Sequence, residues 1–282
     1  MILRERRLPV PWYPESAEKI TLFLEGLPPG KEPRNALAAF APHAGWFYSG
    51  PIAAAAVSAL DPRAETVAVI GGHLPAGMPP LFAEEDGVRT PLGDLPIDGE
   101  FRDILKKALG GRPDRYQDNT VEILLPMVRY YFPRSRVLWI RLPAEIASLD
   151  AGELIARTAA ALNRKTAVLG STDLTHYGDN YGFSPRGRGK TALGWVREVN
   201  DAAFIQAVLE GDGGKILRRA EEDFSACSVG AVLGALGFAR ASGAGQARLL
   251  AYGTSADADA GAAARGIPDS FVGYGALSWH SP

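Results

Sequence analysis

Short apolar segments that alternate with helical patterns constrain the fold of this chain more than any other feature. Several of these segments lack the polar/apolar alternation of a strand with one solvated face, which is typical of strands buried on both faces. We predict strands at Ala36–Ala41, Thr66–Ile70, Arg136–Leu142, Thr166–Gly170, Ala247–Tyr252 and Ser270–Leu277.

Helical patterns occupy most of the intervals between these strands. We predict helices at Ser16–Glu25, Gly50–Leu60, Glu100–Leu109, Val121–Tyr131, Ala151–Leu162, Thr191–Leu209 and Ala226–Ala239. Ser16 precedes its helix and is a candidate N-cap. The alternation indicates an α/β fold with a mixed, mostly parallel β-sheet flanked by helices on both faces.

No Pro/Gly/Ser linker divides the chain. Residues 71–96 are rich in glycine and proline and are predicted to be a long loop or hairpin, and residues 253–268 an alanine-rich loop. A length of 282 residues is within the range of undivided α/β proteins. We therefore expect residues 1–282 to form a single domain.

Composition excludes several classes of protein and partner. Hydrophobic residues at 46% and charged residues at 22% are ordinary globular values, so wholesale disorder is not expected. A net charge of -2 gives no electrostatic reason to expect nucleic acid or an anionic membrane as a partner. The basic patches at 4–7 and 186–190 are short, and we expect both to be solvated loops.

The longest apolar segment, Pro51–Leu60, is about half the length of a membrane span. The N-terminus is charged where a secretory signal needs an apolar run. A single cysteine excludes an intrachain disulfide and fits a reducing compartment. We expect a cytoplasmic protein without a membrane segment.

Three of the four histidines follow predicted strands and lie beside glycines: His43, His73 and His176. In open α/β sheets, ligands bind beyond the carboxyl ends of the strands, where side chains from several loops converge. One histidine in such a place is more often a hydrogen-bonded structural residue than a ligand, but three favour a shared site. His280, near the end of the chain, is predicted to lie at the surface.

Cys227 lies at the start of the last predicted helix. A lone cysteine there is either an inert buried thiol or, because a helix N-terminus favours the thiolate, a functional one. Imidazole and thiolate are good ligands for iron, copper and zinc. Two histidines with a cysteine or carboxylate leave open positions for water, dioxygen or substrate.

Asp173 could orient a ligand or bind a water, or could equally cap its own loop. Other mechanisms are weaker, because the chain has no Walker pattern, no dinucleotide glycine triplet and no G-x-S-x-G elbow. A nucleophilic pair of Cys227 with His43 or His73 stays open.

The motifs, in their order, resemble those of the Memo family, whose prokaryotic members are labelled AmmeMemoRadiSam system protein B. The resemblance runs nearly end to end. It is carried by Trp12-Tyr13-Pro14, Ala41-Pro42-His43-Ala44-Gly45-Trp46, Tyr48-Ser49-Gly50, Ile70-Gly71-Gly72-His73, Thr90-Pro91-Leu92-Gly93-Asp94-Leu95-Pro96-Ile97-Asp98, Val121-Glu122-Ile123-Leu124-Leu125-Pro126, Ser171-Thr172-Asp173-Leu174-Thr175-His176-Tyr177-Gly178 and the Cys227 segment.

The resemblance implies a fold like that of class III extradiol dioxygenases, which hold non-haem iron with two histidines and a carboxylate. In Memo proteins a cysteine replaces the carboxylate, and binding of iron or copper is described. Carried over, the metal ligands are His43, His73 and Cys227. Asp173 and His176 then line the pocket, with His176 as the acid/base or oxygen-contacting residue.

This chain departs from the family pattern where two family histidines are replaced by Asn119 and Leu124. Leu8-Pro9-Val10 stands where relatives have His-Ala-Gly. Gly71-Gly72-His73-Leu74 stands in place of the family's Gly-Pro-Ser-His-His, and Cys227-Ser228 in place of its Cys-Gly. Either the substrate differs from that of relatives, or catalysis is lost while metal binding remains.

The leading hypothesis is a metal-binding, dioxygenase-like protein that uses iron(II) or copper, an oxidoreductase acting on a small molecule or a modified protein residue. The rival is a non-catalytic module that binds peptides in the same cleft, and the family associates its prokaryotic members with AMMECR-type and radical SAM proteins. A cysteine-nucleophile hydrolase is the third hypothesis.

Overall fold

The computed structural model describes residues 1–30, 32–258 and 266–281. Within these ranges nine strands form a main sheet and three short strands form a second one. The strands are β1 (Leu3–Arg4), β2 (Ala36–Ala41), β3 (Thr66–Leu74), β4 (Leu81–Phe82), β5 (Gly87–Val88), β6 (Leu95–Pro96), β7 (Arg112–Pro113), β8 (Arg136–Pro143), β9 (Thr166–Ser171), β10 (His176–Tyr177), β11 (Ala247–Thr254) and β12 (Phe271–His280).

Four parallel strands form the centre of the main sheet, in the order β2, β9, β3, β8. The flanking strands are mostly antiparallel: β12 pairs with β2, β10 and β11 pair with β12, and β4 pairs with β8. The mixed sheet predicted from the sequence is confirmed, with its parallel strands at the centre. Because parallel strands need crossovers, helices must follow them onto the faces of the sheet.

The helices lie on both sides of the sheet, as predicted. Val67 and Val69 of β3 pack into one hydrophobic core, whereas Ala68 and Ile70 pack into a second core on the other face. The helices are α1 (Ala17–Glu25), α2 (Trp46–Ala59), α3 (Gly99–Ala108), α4 (Asn119–Glu122), α5 (Leu125–Tyr131), α6 (Ala147–Ala161), α7 (Gly189–Trp195), α8 (Asp201–Glu210), α9 (Gly213–Glu222) and α10 (Val229–Ala241). Helices α2 and α5 cover the first core, and α6 and α10 cover the second.

Several element boundaries differ from the prediction. The single helix predicted at Thr191–Leu209 is divided into α7, a π-helical turn at Val196–Asn200, and α8. The helix predicted at Val121–Tyr131 is divided between α4 and α5. Helix α9 has no predicted counterpart, since its glycines argue against a helix; Asp212 caps it by accepting from the amide of Lys215. The predicted cap of α1 is confirmed, because Ser16 Oγ accepts from the amide of Lys19.

The predicted loop at 71–96 begins as a continuation of β3 and then contains β4, β5 and β6. Part of the predicted loop at 253–268 lies outside the described residues. Its described part includes the end of β11 and a 3-10 turn at Ser255–Asp257.

Two predictions of solvent exposure are wrong. His280 is only 3% exposed, because its ring lies between Ser278 Oγ and Asn35 Oδ1. Arg4, expected in a solvated basic patch, is also 3% exposed. Its guanidinium donates to the carbonyl of Asp114 and contacts Glu85, so burial is offset by ionic and polar partners.

The carboxyl ends of β2, β3 and β9 meet at one edge of the sheet, because these strands are parallel neighbours. His43 lies two residues after the end of β2, and Thr172 directly follows β9. His73 is the second-last residue of β3. In the described part of the chain, no helix is long and apolar enough to cross a membrane.

Candidate metal centre

Three side chains with metal-binding chemistry converge at this edge of the sheet. One donor atom from each of His43, His73 and Cys227 lies within 4.8 Å of the other two. The Cys227 sulfur is 3.2 Å from His43 Nε2, and the two imidazole rings meet edge to face with centroids 4.9 Å apart. The structure therefore brings together the three residues predicted as ligands.

The ring and both backbone polar groups of His43 are hydrogen-bonded. Its ring is buried, and Nδ1 lies 2.9 Å from the hydroxyl of Ser171 at the end of β9. Its backbone amide donates to Asp173 Oδ1 at 2.7 Å, and its carbonyl accepts from the Asn119 side chain at 2.9 Å. With Nδ1 engaged by Ser171, Nε2 is the nitrogen directed at Cys227.

His73 is held by a carboxylate. Its Nδ1 donates to Asp118 Oδ2 at 3.0 Å, which leaves Nε2 as the nitrogen available to Cys227 or to a metal ion. A histidine that gives its other ring proton to a carboxylate is the usual arrangement for a metal ligand, because the partner fixes the ring and raises its basicity. The backbone at His73 has φ +54°, in the left-handed region that favours glycine.

The glycine pair before His73 lets the other site segments approach. A Cβ at Gly71 would lie 2.2 Å from the hydroxyl of Thr120, and a Cβ at Gly72 would lie 2.4 Å from Cβ of Ser228. Thr120 and Ser228 neighbour the site segments that contain Asp118 and Cys227. The Gly-Gly-His sequence is thus a packing requirement of the site rather than a phosphate loop.

Cys227 lies two residues before the first residue of α10, whereas the prediction placed it inside the helix. Its amide donates to the carbonyl of Asp173 at 3.2 Å, and this bond ties the segment to the loop after β9. The sulfur also has the hydroxyls of Thr172 and Ser228 at 3.8 and 3.7 Å.

The three groups shift one another's pKa values. Burial opposes ionisation of Cys227, but the charges and hydrogen bonds of His43 and His73 outweigh it and lower the pKa of the thiol well below its usual value. Burial also disfavours a charged His73 ring, yet hydrogen bonds to Asp118 and Cys227 raise its pKa to about 10. These shifts favour a thiolate on Cys227 beside a protonated His73 ring, and a metal ion bound by both residues would displace the ring proton.

A cleft of about 850 Å³ lies over this cluster, and both residues predicted as catalytic line it. His176 Nδ1 donates to the carbonyl of Leu174 at 3.1 Å, so in a neutral ring Nε2 is the acceptor. The ring packs against Tyr181. Asp173 is buried, its Oδ2 is 3.9 Å from His43 Nε2, and burial raises the pKa of its carboxyl.

Asn119 and Leu124, which replace family histidines, have different surroundings. Asn119 lines the cleft, whereas Leu124 is buried in the hydrophobic core beside α2 and α5. Sequence reasoning missed Ser171 and Asp118, which support the two histidines. It also missed how Glu122 acts: its carboxylate accepts from the amides of Arg7 and Leu8 and from the hydroxyl of Tyr13.

Comparison with known proteins finds one family along nearly the whole chain. A family model described as Memo-like protein matches residues 4–278. A MEMO1 family protein of Pyrococcus horikoshii is 29% identical, with 94% of this chain and 95% of the relative covered. Its counterpart in Pyrococcus abyssi is 30% identical over the same shares of both chains.

A MEMO1 family protein of Methanococcoides burtonii is 31% identical over 79% of this chain and 81% of the relative. Among solved structures, an uncharacterized protein from Escherichia coli K12 matches with 11% sequence identity and a TM-score of 0.48. The match covers 85% of this chain and 98% of that protein's chain. The match of the family model over nearly the whole chain shows that this protein belongs to the Memo family.

Proposed function

We propose that this protein binds iron(II) or copper through His43, His73 and Cys227 and acts as a dioxygenase-like oxidoreductase. The observation that carries the proposal is the cluster of three donor atoms within 4.8 Å of one another, beneath an open cleft. The donor set suits the group, because two imidazoles and a thiolate are soft and borderline ligands that favour these metals over magnesium or calcium.

The hydrogen bonds around the two histidines support ligation. Each ring uses Nδ1 for a neighbour, Ser171 or Asp118, and keeps Nε2 for the cluster. Iron or copper held there would supply redox chemistry and open positions for dioxygen and substrate. The protein supplies the orientation of the ligands and the cleft.

The groups that would move protons stand beside the cluster. His176 Nε2 is available as a proton acceptor, since Nδ1 is fixed on Leu174. Asp173 accepts from the amide of His43. Because its pKa is raised, the carboxyl stays protonated to a higher pH than an ordinary aspartate does. His176 would therefore act as the base, and Asp173 would orient His43 and a group bound next to it.

A test uses metal-loaded protein and measures dioxygen uptake with a panel of small molecules and peptides. We expect uptake with at least one compound, and loss of that uptake in His176→Gln with metal still bound. His280→Gln is the matched control, since His280 lies between Asn35 and Ser278, outside the cleft lining, and its loss should leave uptake unchanged. Absence of uptake with every compound would count against the enzyme.

Exposed aromatic side chains favour a second candidate, a non-catalytic peptide-binding module. Tyr48 and Tyr181, about half exposed, line the cleft, and Phe47 beside them is 63% exposed. Aromatic residues of this kind are common at binding surfaces. For this module, His176→Gln would leave peptide binding and any cellular role intact.

The contact between Cys227 and His43 would also suit a cysteine nucleophile. Alkylation of Cys227 by iodoacetamide, with and without bound metal, separates the two roles. A metal ligand is protected by the metal, whereas a nucleophile that acts without metal is labelled equally in both samples.

A further inference from the structure

Arg141, on β8, is 3% exposed and lies behind His73. Its Nε donates to the carbonyl of Gly72 at 2.9 Å, and its Nη2 is 3.5 Å from the carbonyl of His73. One guanidinium thus contacts the backbone on both sides of the Cα of His73.

The same guanidinium also contacts the carboxylate that holds the His73 ring. Arg141 Nη2 is 3.2 Å from Asp118 Oδ2, the atom that accepts from His73 Nδ1. A planar guanidinium presents its donors in a fixed fork, so it can hold a carboxylate and two carbonyls at once. Arg141 therefore contacts the backbone of His73 directly and acts on its ring through Asp118.

Arg141 is itself anchored from the other side. Its Nη1 is 3.4 Å from Asp114 Oδ1, and Asp114 Oδ2 accepts from the Trp139 indole at 2.8 Å. The backbone carbonyl of Asp114 accepts from Arg4 at 2.7 Å. The charge and the N–H groups of this buried guanidinium are thus compensated by neighbouring carboxylates and carbonyls.

We propose that Arg141 is a positioning residue of the metal centre, which holds His73 in its left-handed conformation and directs Nε2 of the ring towards His43 and Cys227. The inference rests on the proposed function, since the centre it serves is the proposed metal site. A left-handed non-glycine residue persists only where its surroundings impose it, and Arg141 contacts the carbonyls on both sides of this one.

The test measures Co(II) affinity and the visible spectrum of the Co(II)-loaded protein. Outer partners of metal ligands typically contribute about 10- to 100-fold in affinity, so Arg141→Met should weaken Co(II) binding by that factor. Arg141→Lys keeps the charge but lacks the fork, and should weaken it as well. Arg164→Met is the matched control, because Arg164 also pairs with a buried carboxylate, Asp98, but at the opposite edge of the sheet.

A double-mutant cycle distinguishes a positioning role for Arg141 from a general effect on the stability of the fold. In a His73→Ala background, Arg141→Met should cause no further loss of Co(II) affinity, because the residue it positions is gone. An equal loss in both backgrounds, or wild-type affinity in Arg141→Met, would overturn the proposal.

A crystal structure of metal-free Arg141→Met decides the proposal independently of metal binding. We expect His73 to leave the left-handed region and to lose its contact with Asp118, and an unchanged His73 would overturn the proposal. If the wild-type protein binds no Co(II), the proposed function fails on that result alone, while the structure still decides the role of Arg141.

Discussion

At the scale of single residues, the carboxylate of Asp118 determines how firmly His73 is held. We expect Asp118→Asn to weaken metal affinity by about 10- to 100-fold, because the ring loses a charged acceptor that fixes it. Metal titration followed by absorbance measures the change. Asp103→Asn, at a mostly exposed helical position, is the control and should bind metal as the wild type does. Equal affinity in Asp118→Asn would contradict this role.

Asp201 gives the fold a dependence on pH at the residue scale. Its buried carboxylate accepts from the amide of Thr175 and the hydroxyl of Tyr252, yet burial raises its pKa from 3.8 to about 6. Between these values the unfolded chain releases the proton and the folded chain keeps it. The free energy of unfolding should therefore fall as pH rises from about 4 to 6, by up to about 3 kcal/mol from this group.

Asp201→Asn should remove that fall, because an amide does not titrate and can still bond to Thr175 and Tyr252. Urea unfolding of both proteins at pH 4, 5, 6 and 7 measures the difference. A difference between wild type and variant that does not change with pH would show that Asp201 has an ordinary pKa.

At the scale of elements, the approach of β3 to the segment before α10 depends on Gly72. An alanine there would place Cβ 2.4 Å from Cβ and 2.9 Å from Cα of Ser228, so backbone must shift. We expect Gly72→Ala to lower the free energy of unfolding by about 1–3 kcal/mol and to weaken metal binding by moving Cys227 away from His73.

Gly194→Ala in α7 is the control, since a Cβ there meets no atom within 4 Å and alanine favours a helix. The free energy of unfolding and the metal affinity are measured for both variants. Gly72→Ala adds a methyl group where there is no space for it, and Gly194→Ala adds one where there is space. Wild-type stability and affinity in Gly72→Ala would contradict the packing argument.

The elements also show what the sequence could predict. The parallel core strands and the surrounding helices were predictable, because burial on both faces leaves a continuous apolar run and helices keep their own period. Residue chemistry and strand ends singled out His43, His73 and His176 and left the role of Cys227 open. The ligand set His43, His73 and Cys227 came from the resemblance to the Memo family. Ser171, Asp118 and Arg141 were not, because their roles depend on contacts between segments far apart in the chain.

At the scale of the whole molecule, Glu122 ties the N-terminal residues 7–13 to the body of the protein. This segment contributes Pro11 and Trp12 to the cleft. Glu122→Gln replaces a carboxylate that accepts three donors, so it should lower the free energy of unfolding by about 1–3 kcal/mol. It should also increase hydrogen exchange in residues 7–13.

Hydrogen exchange read by mass spectrometry measures the second effect. Glu153→Gln, on the surface of α6, is the control and should change neither quantity, because its exposed ion pair with Arg157 contributes little. Wild-type exchange in residues 7–13 of Glu122→Gln would show that other contacts hold the segment.

Metal content of anaerobically prepared protein tests the central claim most directly. Elemental analysis should find close to one iron or copper per chain in the wild type, and little in His43→Ala, His73→Ala or Cys227→Ala. The expectation follows from donor atoms within 4.8 Å of one another, because removing one leaves two. A wild-type protein that holds no metal even after reconstitution, or variants that all keep it, would contradict the account.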